Sequence, residues 1–84
     1  MFDNQPDTHS QAIDNWKYHR DLGQRFENEG RCAAGSAQKS RCYWLAADRY
    51  VRAAGLAPYD LKHIMTSAAA RCYDAAMLLR AEVA

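Results

Sequence analysis

The sequence predicts an all-α fold, a small three-helix bundle with homodimerisation as a compatible arrangement. Three observations predict it. Hydrophobic residues make up 49% of 84 residues and many are alanine, which favours helix and close helix–helix approach. Only two prolines and four glycines interrupt the chain. In the last third, Leu61, Ile64, Met65, Ala68, Cys72, Ala75, Ala76, Leu79 and Val83 recur at steps of three and four, one stripe of a 3.6-residue helix.

The chain divides into a flexible N-terminal tail, residues 1–7, and one helical domain, residues 8–84. Thr8 with Gln11 has the form of a capping box, so a first helix is expected from about His9. Its apolar face holds Ala12, Ile13, Trp16, His19, Gly23 and Phe26, and Gly30 would end it in a left-handed conformation. Residues 31–36 fit either a loop or the start of the next helix; Ser36 is a serviceable N-cap. A second helix is expected from there to about Ala54, with Tyr43, Trp44, Ala47, Tyr50, Val51 and Ala54 on its apolar side. Gly55, Leu56 and Pro58 have the pattern of a helix stop: left-handed glycine, apolar residue, then proline. Pro58 and Asp60 suit the first turn of a third helix. The expected core is Ile13, Trp16, Phe26, Trp44, Ala47, Val51, Leu61, Ile64, Ala68, Cys72 and Leu79. Arg-Cys-Tyr occurs at 41–43 and again at 71–73, too short an identity to establish a repeat.

Net charge is +1, which by itself excludes little, but its distribution is uneven. Residues 1–30 carry three basic and six acidic groups; residues 31–54 carry Arg31, Lys39, Arg41, Arg49 and Arg52 against Asp48. The chain has no run of about twenty apolar residues and no basic-then-apolar leader. With three cysteines, an odd number lacking any Cys-x-x-Cys pair, it reads as a cytoplasmic protein with free thiols and no membrane partner.

Chemistry is weakly signalled. Cys32, Cys42, Cys72, His63 and His19 are metal-ligand types, yet structural zinc sites draw ligands in close pairs and the nearest cysteines here are ten apart. Cys42, His63 and Asp60 supply the residue types of a thiol nucleophile, base and orienting acid, with no motif linking them. The expectation is therefore no metal, no cofactor and no enzyme.

Binding is better supported. A second stripe of the last helix holds Thr66, Ala70, Tyr73, Met77 and Ala81. A helix with two apolar faces is either central to a bundle or offers one face to a partner. Nine aromatic residues are more than so small a core buries, and tyrosine, methionine and arginine are favoured in interfaces. Tyr73, Met77 and Arg80 form the first candidate contact patch, with Tyr50 beside Arg49 and Arg52 as the second. The function expected is a non-catalytic module that binds and inhibits or regulates a host protein, a protein that itself belongs to a nucleoprotein complex in one version. The alternative is a nucleic-acid-binding transcriptional regulator using Arg41, Arg49, Arg52 and Lys39 on the second helix.

Phe26-Glu27-Asn28-Glu29-Gly30, Trp44-Leu45-Ala46-Ala47 and Arg71-Cys72 together resemble the ANR-type regulators, small helical proteins of bacteria and phages. That resemblance implies binding to a transcription regulator. Two departures stand against it: Gly30 and Trp44 are several residues too far apart, and the last helix lacks a tryptophan. In general type the chain also resembles small alanine-rich proteins of phages and mobile elements, including inhibitors of bacterial defence systems such as CRISPR.

Overall fold

A computed structural model describes residues 15–83, which form three helices: α1 (Trp16–Cys32), α2 (Ser36–Leu56) and α3 (Tyr59–Val83). The all-α three-helix architecture is as the sequence predicts. The expected tail and the Thr8–Gln11 capping box lie outside the described residues, as does Ile13 of the expected core.

Helix α1 begins later than expected. Asn15 is extended, with φ −88° and ψ 125°, so no single helix runs from His9 through Trp16. Its Oδ1 accepts from the Lys17 N–H at 2.8 Å, and its carbonyl accepts from the Tyr18 N–H at 3.1 Å. Asn15 is therefore the N-cap. At the other end α1 continues past Gly30 to Cys32, and Ala33 is extended. Gly30 is helical and buried, with no positive φ. A Cβ on it would stand 3.2 Å from the Tyr43 ring and 3.3 Å from the Cys42 Cβ, so its smallness lets α2 approach. Of the uncertain stretch 31–36, Arg31 and Cys32 close α1, residues 33–35 connect, and Ser36 opens α2 with Gly35 at the cap position.

Gly55 also departs from expectation. It lies inside α2, which reaches Leu56, and its φ is negative. The chain leaves the helix at Ala57, whose N–H still donates to the Ala53 carbonyl at 2.8 Å. Pro58 precedes α3 and accepts from the Leu61 N–H at 2.9 Å.

Two lysines do what the glycines do not. Lys39, in the first turns of α2, donates through Nζ to the Gly30 and Arg31 carbonyls at 3.1 and 2.9 Å. Lys62, four residues into α3, donates to the Ala54 and Gly55 carbonyls at 2.9 and 3.2 Å. Each ammonium closes the C-terminus of the preceding helix, where unpaired carbonyls and the helix dipole both favour a cation.

Helix α2 is central. It packs closely along both α1 and α3, whereas α1 and α3 meet chiefly through side chains. The core is built on small residues: Ala46, Ala47 and Ala53 of α2 cluster with Ala68, Ala69 and Cys72 of α3, together with Met65 and Ala57, and Ala76 is also buried. The buried Ser40 hydroxyl donates to the Ala76 carbonyl at 3.0 Å across this seam. Trp16, Phe26, Tyr43, Leu61 and Tyr73 pack around the rim. Two expected core residues are outside: Val51 is 48% exposed and Ile64 47%. Tyr50, by contrast, is buried at 2% exposure. The buried face of α2 runs through positions 46, 47, 50 and 53, which turns Val51 outward.

Candidate functional site

Two places collect side chains that do more than fill space. The first is a polar notch closed around Glu27. On α1, His19, Gly23, Glu27 and Gly30 are the buried stripe. Gly23 lies under the Tyr50 ring, where a Cβ would come within 3.0 Å of two ring carbons. The ring thus slides across the α1 backbone and delivers its hydroxyl to Glu27 Oε1 at 2.9 Å. From α3, Arg71 donates Nε to Glu27 Oε2 at 3.0 Å and a terminal nitrogen to Oε1 at 3.1 Å. Arg31 adds a longer ion pair at 3.5 Å. One carboxylate therefore holds a residue of each other helix, and the bidentate arginine is the stronger kind of link.

Burial alone would push the Glu27 carboxyl up, but the hydrogen bonds from Arg71 and Tyr50 and the two guanidinium charges outweigh it, and the carboxyl is held below its ordinary range. Burial first, then the Glu27 hydrogen bond, pushes the Tyr50 phenol up. The Cys72 thiol, buried and near the Glu27 charge, is pushed up to about 11. A thiol so raised is a poor nucleophile at neutral pH.

The second place is a shallow groove between α2 and α3, about 380 Å³, lined by Ala37, Ser40, Arg41, Trp44, Leu45 and Arg80. Positions 37, 41, 44, 45 and 48 fall on one side of α2, and 73, 77 and 80 on one side of α3. Trp44 meets Tyr73 edge to face, with ring centroids 5.0 Å apart. The Tyr73 hydroxyl donates to Asp48 Oδ1 at 3.3 Å; slight burial and the Asp48 charge push this phenol up. Outside this pinned wall Leu45 is 41% exposed and Met77 53%, and Leu78 next to Met77 is more exposed still.

The candidate residues separate on this framework. Tyr73 and Arg80 stand at the α2–α3 groove, and Met77 lies one turn before Arg80 on the same exposed stripe. Tyr50 does not belong with them: it is buried between α1 and α2 and its hydroxyl is taken by Glu27. Of the four basic residues in the alternative reading, Arg41 and Arg52 are exposed. Lys39 is turned onto the end of α1, and Arg49 is half-buried with a terminal nitrogen 3.3 Å from His19 Nδ1. The four do not form one open cationic stripe.

The chemical candidates are likewise dispersed. Asp60 and His63 share a surface at the start of α3. Cys42 sits near the opposite end of the α2–α3 pair, since Ser40 meets Ala76 while Lys62 meets Ala54. The separation along the helices is roughly 18 Å, far beyond hydrogen-bond reach. Among the described residues, no three histidine, cysteine or acidic side chains are grouped to hold a metal ion. No helix among them is long and apolar enough to cross a membrane.

Sequence reasoning missed Glu27 as a structural centre and Leu45 as an exposed groove residue. A signal for Glu27 was present: it stands between Gly23 and Gly30 at helical spacing, so it shares the face that two glycines mark for close approach. Compared with known proteins, the chain matches no family model, no curated protein and no solved structure. The likeness to ANR-type regulators therefore rests on the quoted residues alone.

Proposed function

We propose that this protein is a non-catalytic interaction module that binds another protein through the α2–α3 face, and by occupying it inhibits or regulates that partner. The observation that carries this reading is the groove with exposed Leu45 in its lining and exposed Met77 one turn before Arg80, beside Trp44 and two arginines. Apolar side chains grouped at a surface between rigid helices, with arginine and aromatic residues at hand, are the composition of an interface centre. Regulators encoded by phages and mobile elements, among them inhibitors of bacterial defence, are the kind of protein this reading fits.

A nucleic-acid role draws less support, because two of its four cations are engaged within the fold. The two readings respond differently to salt. A DNA binder weakens steeply as salt rises and depends on Arg41 and Arg52. Titration with duplex DNA from low to physiological salt is expected to give no saturable complex with the wild-type protein. A steep salt-dependent complex, lost in the Arg41→Ala, Arg52→Ala double variant, would replace the proposed function with the nucleic-acid one.

A further inference from the structure

Among the described residues the α2–α3 groove has a one-sided electrostatic character. Its base is Ala37, Ser40 and the Trp44 ring, and its charged lining is two arginines, Arg41 from α2 and Arg80 from α3. Both are exposed, and neither is paired with a carboxylate among the described residues. Four other cations are committed within the fold, Arg71 to Glu27, Lys39 and Lys62 to helix ends and Arg49 to His19; Arg25 and Arg52 are exposed like the groove pair but lie outside the groove lining. Asp48, the nearest acid on the same side of α2, is turned to the Tyr73 hydroxyl.

Building on the proposed protein-binding function, we infer that the groove takes an acidic amphipathic helix of the partner protein, its apolar side against Trp44 and Leu45 and its carboxylates against Arg41 and Arg80. The shape matches: two helices side by side leave a furrow in which a third helix lies, the helix-in-groove mode of recognition. The volume of about 380 Å³ is at the low end for small-ligand pockets, and the site is open, so it suits a few anchoring side chains rather than an enclosed ligand. Charge complementarity selects the occupant. Guanidinium groups on both walls, with no carboxylate partner among the described residues, favour carboxylates on both flanks, in the bidentate geometry arginine provides. A phosphate backbone would instead ask for cations along its length and makes no use of the apolar base.

The test is selection from a displayed library of amphipathic helical peptides, with an aliphatic i, i+3, i+4 core and random residues at the flanks, against the full chain. The expected result is enrichment of Asp and Glu at the flanks, and binding that drops about tenfold for Arg41→Glu or Arg80→Glu. Peptides with the flanking acids changed to lysine should regain affinity for those two variants. Both arginines are exposed, so thermal melts of the variants should match wild type; Arg→Gln at each position supplies a milder version with the same direction of effect. Enriched peptides with no acidic bias, lost on Leu45→Asp but unmoved by the arginine changes, would overturn this inference and leave the groove as a protein-binding site. No enrichment, or peptides insensitive to Leu45→Asp, would overturn both.

Discussion

At the scale of single residues, the feature that decides most is the Glu27 carboxylate. A buried acid is costly unless its oxygens are filled, and here Tyr50 and Arg71 fill them from two different helices. Replacing Tyr50 by Phe removes a hydrogen bond to a charged acceptor and leaves the ring in place. We expect a loss of about 1–2 kcal/mol, a fall in midpoint of roughly 4–8 °C per kcal/mol for a domain this small, measured by thermal circular dichroism. The Arg71 side is more exposed, so solvent screens its share and Arg71→Gln should cost less than Tyr50→Phe. The same group sets the acid limit. Because the folded-state value of Glu27 is depressed, the unfolded chain binds the proton first as pH falls. Stability is then full above the ordinary value of 4.5 and declines as pH drops below it. At the alkaline end the signs reverse: Cys72 and Tyr50 are raised, so stability is full below about 9.0 and declines as pH rises beyond it. A urea-midpoint profile from pH 3 to 11 should show both edges, and Tyr50→Phe with Cys72→Ala should flatten the alkaline one.

At the scale of elements, the helices themselves were legible but their ends were not. Helical periodicity in an alanine-rich chain marks a helix without marking which of two similar stripes faces inward. Hence Val51 and Ile64, expected inside, lie outside, while Tyr50, on the same expected apolar side as Val51 and also a candidate contact residue, is buried through its contact with Gly23. Gly30 and Gly55 fit the stop pattern by type and position, yet side chains from the following helix close these ends instead, and no local sequence rule registers Lys39 or Lys62 reaching back across a connection. The glycines provide a direct check. Gly55 is helical, and a Cβ there meets nothing within 4 Å, so Gly55→Ala should stabilise by about 0.5–1 kcal/mol. A left-handed Gly55 would instead make that change destabilising. Gly23→Ala should destabilise by about 1–2 kcal/mol, because the Tyr50 ring it would press on is fixed at its hydroxyl. Lys62→Met keeps the aliphatic stem and removes the cap; a loss of about 0.5–1 kcal/mol is expected from the orphaned carbonyls.

At the scale of the whole molecule, function depends on how openly the helices are arranged. A three-helix bundle closed on all sides would bury both stripes of α3. With α2 in the middle, the side of α3 carrying Met77 and Arg80 stays on the surface, and the Trp44–Tyr73 contact makes a firm wall beside it. Part of the candidate site was readable beforehand, since Tyr73, Met77 and Arg80 fall on one stripe by spacing alone. The α2 half was not. Trp44 and Leu45 were placed by the helix-pairing register, which depends on Ser40 meeting Ala76, a contact 36 residues apart in sequence. Long-range register is what periodicity within one helix does not carry.

The most direct test of the protein-binding account compares two matched surface changes in capture of a partner from cells. Leu45 borders the groove and Val51, at similar exposure, points about 120° away on the same helix. With a tagged full-length chain, we expect a discrete captured protein that is lost with Leu45→Asp and retained with Val51→Asp, both variants melting like wild type. Capture unaffected by Leu45→Asp, or lost with Val51→Asp instead, would contradict the α2–α3 face as the site of binding.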